Sequence, residues 1–161
     1  MTNSQLKTID PKAFSLIELI VTISLLIFIF SASIGSYFLY YRNSLVNIEV
    51  DNVLTLIKNT RFQSLKNATS SDFGIYIDQT TNSVSSFKDS YTPGNPENVI
   101  INLEKLNITN LNLNPNVGIT NSILFLKHTG KTVNTGNFII GNNSTHFIIN
   151  INDQGVVDLT Q

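Results

Sequence analysis

One carboxylate, Glu18, stands inside an apolar run that opens at Phe14 and reaches Tyr41. From Phe14 to Phe30 nearly every residue is Leu, Ile, Val or Phe. A run of 18 or more apolar residues reads as a membrane-spanning helix. A charge inside such a helix costs about 2.5–3.5 kcal/mol at mid-bilayer on insertion scales, and less near an interface. Anchoring alone does not account for a carboxylate there. The chemistry open to Glu18 is electrostatic, a pairing with a cation in surroundings where charges attract more strongly than in water.

The other polar groups form no reactive constellation. His128 and His146 fall in separate predicted elements, with no carboxylate or second histidine at ligand spacing, and read as surface or strand-end residues. Asp72, Asp78, Asp89 and Glu97 carry oxygens that suit Ca²⁺, but their spacing matches no EF-hand, so they read as turn residues and solvated charges. No H-E-x-x-H, G-x-S-x-G, P-loop or G-x-G-x-x-G is present. The Asn-x-Ser/Thr sequences at Asn67, Asn107, Asn142 and Asn143 are of the kind that arise by chance in a chain rich in Asn and Thr. No residue is assigned a catalytic role; neither a metal nor a cofactor is expected, and the chain is not read as an enzyme.

The elements that position Glu18 follow from the pattern around it. Residues 1–13 are a polar leader, in which Asp10-Pro11 discourages helix before the run. Lys7 and Lys12 precede the run and only Arg42 follows it, which favours an N-terminus inside the cytoplasm and the bulk of the chain outside. A helix over 14–41 would be roughly 42 Å long, with Tyr37, Tyr40 and Tyr41 where an interfacial aromatic belt belongs. Ser24, Ser31, Ser33 and Gly35 are small enough to let another helix approach closely. From 42 to 67 the pattern becomes amphipathic. Val46, Val50, Val53, Leu54, Ile57, Leu65 and Ala68 make one stripe, with Asn47, Asp51, Lys58 and Asn59 away from it. Leu45, Ile48, Leu56 and Phe62 are apolar outside the stripe, as either a widened buried face or a second contact surface. Nothing marks a helix end between Tyr41 and Arg42, so the two stretches read as one continuous helix.

After Ser70-Ser71-Asp72 the period becomes two. Strands are expected at 73–78 and 83–88 around the turn Gln79–Asn82, and at 99–103 after a loop with Pro93-Gly94 and Pro96. Residues 106–109 and 111–113 alternate as a surface strand would. Further strands are expected at 122–127, 138–141, 146–151 and 155–159, with turns at His128–Lys131, Gly141–Asn143 and Asn152–Gly155. The expected fold is α+β, with seven or eight short strands behind one long helix, half membrane and half amphipathic.

Composition narrows the function classes. The 161 residues leave room for one domain, 42–161, after the apolar segment. There is no cysteine, hence no disulfide framework and no thiol chemistry. The net charge of −1 gives no electrostatic footprint for nucleic acid, which is not expected as a partner.

The stretch Lys12-Ala13-Phe14-Ser15-Leu16-Ile17-Glu18-Leu19-Ile20-Val21 resembles the class III signal and N-terminal helix of type IV pilins and type II secretion pseudopilins. The resemblance implies that a prepilin peptidase cuts between Ala13 and Phe14, that Phe14 becomes an N-methylated first residue, and that Glu18 guides assembly. The family has Gly before the cut, where this chain has Ala13, the next smallest residue; Ser15 replaces the commoner Thr and keeps the hydroxyl. Further on, Asn59-Thr60-Arg61-Phe62, the Gly-Ile-Tyr-Ile strand, the Ile-Leu-Phe-Leu strand with its Gly turn, and Ile-Asn-Asp-Gln-Gly-Val-Val look like the GspH/FimT-like minor pilins, which pack two antiparallel sheets on the helix. The resemblance implies a pilin-like structural subunit of a type II secretion or type IV pilus machine, held by a single pass in the cytoplasmic membrane before entering a filament. Its partners would be other pilin or pseudopilin subunits, the peptidase and an inner-membrane platform protein. The rival reading is an extracytoplasmic β-domain binding protein on an uncleaved signal anchor, which leaves Ala13-Phe14 without a use.

Overall fold

The computed structural model describes residues 15–66, 71–115 and 121–160, without the side chains of residues 32, 33, 36, 39, 42 and 115. Ala13 and Phe14 lie outside the described residues, as do Asn67 and Ala68. A single helix, α1, runs Leu16–Lys66. No proline interrupts the chain between Pro11 and Pro93, so the backbone ladder is unbroken. Glu18 in the first turn and Lys66 in the last match the helix dipole.

The chain divides into two units, residues 1–42 and 43–161. In the first, every described side chain from 15 to 41 is exposed. Among the described residues no helix is long and apolar enough to cross a membrane.

In the second unit, eight strands follow α1: β1 Phe73–Asp78, β2 Ser83–Lys88, β3 Val99–Asn102, β4 Asn107–Pro115, β5 Ser122–Phe125, β6 Asn134–Gly141, β7 His146–Ile151 and β8 Val157–Thr160. They form two four-stranded sheets in the orders β3-β2-β1-β5 and β4-β6-β7-β8, with every pairing antiparallel. The α+β class expected from the sequence is the class observed. Alternation along the strands sends Ile75, Ile77, Val84, Ile123 and Phe125 inward from the first sheet, and Phe138, Ile140, Phe147, Ile149 and Ile151 from the second. These side chains join Val46, Val50, Val53, Leu54 and Ile57 of α1 in one core.

One position departs from the expected stripe, and one of the apolar positions outside it joins a widened buried face. Leu65 is exposed and Leu56 is buried. The inward face continues instead through Thr60 and Ser64, both buried. Their hydroxyls donate to the carbonyls of Leu56 and Arg61, each at 2.7 Å, so their burial leaves no unmet hydroxyl. Small side chains are needed here because the 127–130 turn comes close: the His128 N–H donates to the Ser64 carbonyl at 2.9 Å.

Of residues 106–109 and 111–113, expected as surface segments, all but Leu106 fall in one strand, β4, that is partly inward. Thr109 pairs with Ile139 but Asn112 with Asn137, so β4 gains a residue over β6. This bulge, with Asn110 at φ 48°, lets Ile108, Leu111 and Leu113 share a face despite their odd spacing. Gly136 sits opposite; at φ 144°, a Cβ there would strike the Asn112 carbonyl. β6 starts at Asn134, four residues before the apolar signal at Phe138.

Candidate functional site

Glu18 lies one turn into α1. The ladder opens with the Leu19 N–H donating to the Ser15 carbonyl at 3.2 Å. Around it Leu16, Ile17, Leu19, Ile20 and Val21 are all more than half exposed, Leu16 at 76%. The exposure continues through Phe28 at 73% and Phe30 at 65%, on every side of the helix.

The other polar side chains in this stretch are satisfied locally. The Thr22 hydroxyl donates to the Leu19 carbonyl at 2.9 Å, Ser24 to Ile20 at 2.8 Å and Ser31 to Phe28 at 2.8 Å. Such back-bonding lets a hydroxyl sit in apolar surroundings at little cost. Glu18 is therefore the one charged side chain on a long apolar surface. The arrangement suits pairing with a cation supplied from outside the helix. Tyr37 and Tyr41 stack on the same helix at 6.2 Å between centroids.

Of the three predicted site residues, the structure places Glu18 alone. His128 and His146 are both exposed, one in the 127–129 turn and one opening β7. Among the described residues no group of three metal-ligating side chains comes together.

Three polar residues to which the sequence analysis gave no role hold the second unit together. The Asn82 Nδ2 donates to the carbonyls of Leu103 at 2.9 Å and Leu106 at 2.6 Å. Its Oδ1 accepts the Ile108 N–H at 2.8 Å. Asn82 thereby fixes the crossing from β3 in one sheet to β4 in the other. The Glu49 carboxylate accepts the N–H groups of Glu104 (3.2 Å) and Lys105 (3.1 Å), tying the same crossing to α1. At the far end the Arg61 guanidinium donates to the carbonyls of Gly130 at 3.2 Å and Gln154 at 3.0 Å. A signal for Asn82 was present, since Asn tolerates the left-handed φ of 54° it adopts in a turn. Arg61 stood in the Asn59–Phe62 stretch that carries the resemblance, without a stated role, and nothing in the sequence pattern marks Glu49.

An apolar groove lies beside Arg61, lined by Lys58, Phe62, Leu65, Gly155, Val156 and Val157. The Lys66 ammonium stands 4.4 Å from the centre of the Phe62 ring.

No family model matches this chain, and no curated protein matches it. Among solved structures, it is similar to the crystal structure of the type IV minor pilin FimU of Pseudomonas aeruginosa strain PAO1, at 12% identity and a TM-score of 0.48, over 71% of this chain and 92% of that one.

Proposed function

We propose that this chain is a structural subunit of a type IV filament system, a minor pilin or pseudopilin of the GspH/FimT-like kind, serving a type II secretion machine or a type IV pilus. The observation that carries this reading is the Leu16–Phe30 surface, apolar on all sides, exposed, and bearing Glu18 as its charge. Such a surface needs cover. Lipid can supply it before assembly and equivalent helices of neighbouring subunits afterwards, in a contact that close helix packing sustains without lipid. The leader 1–13 is removed by a prepilin peptidase between Ala13 and Phe14, and the new amine of Phe14 is methylated. The protein waits in the cytoplasmic membrane with residues 42–161 outside the cytoplasm, and a platform protein there passes it to the filament.

Coexpression with a prepilin peptidase tests the reading. The mass should fall by Met1–Ala13 and rise by one methyl on Phe14. Ala13→Gly should speed the cut and Ala13→Leu should block it, because the step depends on a small side chain. Equal processing of all three forms, or cleavage after Ser33, would contradict the proposal.

A further inference from the structure

The second unit carries its charges at two ends. At one end the last turns of α1 meet the 127–130 and 152–155 turns, joined by the Arg61 and His128 bonds. Phe73 there pairs with both Lys88 and Phe125, which brings the ends of β1, β2 and β5 to the same place. Lys58, Arg61, Lys66, Lys88, Lys127 and Lys131 gather at this end, six of the seven Lys and Arg in residues 43–161. They outnumber the carboxylates of Asp72, Asp89, Asp153 and Asp158 beside them. At the other end Glu49 holds the Glu104–Lys105 backbone, and Asp78 pairs with Ser83, which pairs with Asn102. There, among the described side chains, the carboxylates of Glu49, Asp51, Asp78 and Glu104 stand with one cation, Lys105.

The basic end also contains the apolar groove. Phe62 is 51% exposed, and Leu65 and Val156 are each 40% exposed. Lys58 and Arg61 stand at the rim, Lys66 over the Phe62 ring, and none of the described lining residues is acidic. At the acidic end Ile48, 49% exposed, stands one turn from the exposed Asp51 on α1.

We propose that the groove receives Ile48 and Asp51 of a second copy of this chain, so that copies join basic end to acidic end. Ile48 buries its apolar surface against Phe62 and Leu65, while Asp51 faces Lys58 and Lys66 and sets the orientation. The two patches lie on the same helix, fourteen residues or ~21 Å apart, so they cannot fill each other within one chain. Joining two basic ends or two acidic ends sets like charges together, which disfavours a closed symmetric pair. The contact is heterologous and repeats from copy to copy. It lies within residues 43–161 and does not depend on the assignment made above for residues 14–41.

The full chain in detergent micelles provides the test, since it has no cysteine of its own. Asn52→Cys together with Gln63→Cys places one thiol near each patch, on exposed positions outside the groove. On oxidation the double variant should give a ladder of dimers, trimers and longer chains, whereas each single variant stops at the dimer. Asp51→Lys or Lys66→Asp, each in the double-cysteine background, should slow the ladder at least fivefold. Mixing those two charge-reversed proteins should restore it, because each then presents an end complementary to the other. No species beyond the single-variant dimers would overturn the proposal and give the groove to a different occupant. A ladder indifferent to both reversals, or reversals that mixing does not rescue, would overturn it as well.

Discussion

The side chain of Asn82 accepts the backbone N–H of Ile108 at 2.8 Å while its amide donates to the carbonyls of Leu103 and Leu106. One turn residue in the first sheet thus satisfies three backbone groups on the segment entering the second. Asn82→Ala leaves those groups without partners where Leu103, Leu106 and Ile108 are buried. An unpaired buried group costs about 1–3 kcal/mol, and the three share one loop that can partly relax. Urea unfolding should show a loss of about 2–4 kcal/mol; a loss below ~0.5 kcal/mol would mean the crossing holds itself.

Gly74 is covered by the ring of Phe87, its partner in β2, which a Cβ on Gly74 would strike. Tyr91 packs edge-on to that ring at 5.8 Å and stacks on Tyr76 at 3.9 Å, so the ring has little room to retreat. Gly74→Ala should destabilise the protein by about 1–3 kcal/mol. Phe87→Leu made in the same chain should recover part of that loss, measured as a non-additive double-mutant cycle.

How far the sequence could be read depended on which interactions set each element. The β1–β2 hairpin was legible because Ile75, Ile77 and Val84 alternate around a polar turn, a purely local signal. The inward face of α1 was read correctly at Val46, Val50, Val53 and Ile57 and incorrectly at its end. There the choice between Leu65 and Ser64 is made by a turn more than sixty residues away, through the His128 N–H. The bulge that joins residues 107–115 into one strand was hidden for the same reason, since it exists only in register with β6. Glu18 was legible from sequence alone, as a charge misplaced in an apolar run; Ala13 and Phe14 lie outside the described residues.

The Asp78 carboxylate is held below its ordinary pKa by hydrogen bonds, chiefly from the Thr81 side chain and also from the N–H groups of Thr80 and Thr81, with burial opposing. A depressed pKa means the folded protein favours the charged form. That stability is present above the ordinary aspartate range and is lost as pH falls through and below it. Asp78→Asn should therefore be less stable than the parent at pH 6, with the difference shrinking towards pH 3. Thermal midpoints across that range decide it, and a difference independent of pH would refute the assignment.

Residues 43–161 have their own core, from Val46 on α1 to Ile151 on β7. A chain starting at Asn43 should be rich in β structure and should unfold in one cooperative step. A featureless melt would show that residues 15–42 are needed for folding.

Glu18 is where the account is tested most directly. After cleavage at Ala13-Phe14, the amine of Phe14 in a subunit already placed would offer Glu18 of the incoming one a partner away from water. A pair there is stronger than in water, and an unpaired buried charge is strongly unfavourable, so under the proposed function the pair would act as a check on register. The measurement is recovery of Glu18→Val in sheared filaments, with crosslinking to neighbouring subunits, after mass spectrometry has established normal insertion and cleavage. The account predicts a cleaved, membrane-inserted protein whose incorporation falls at least tenfold. Incorporation of cleaved Glu18→Val at the parental level would contradict it.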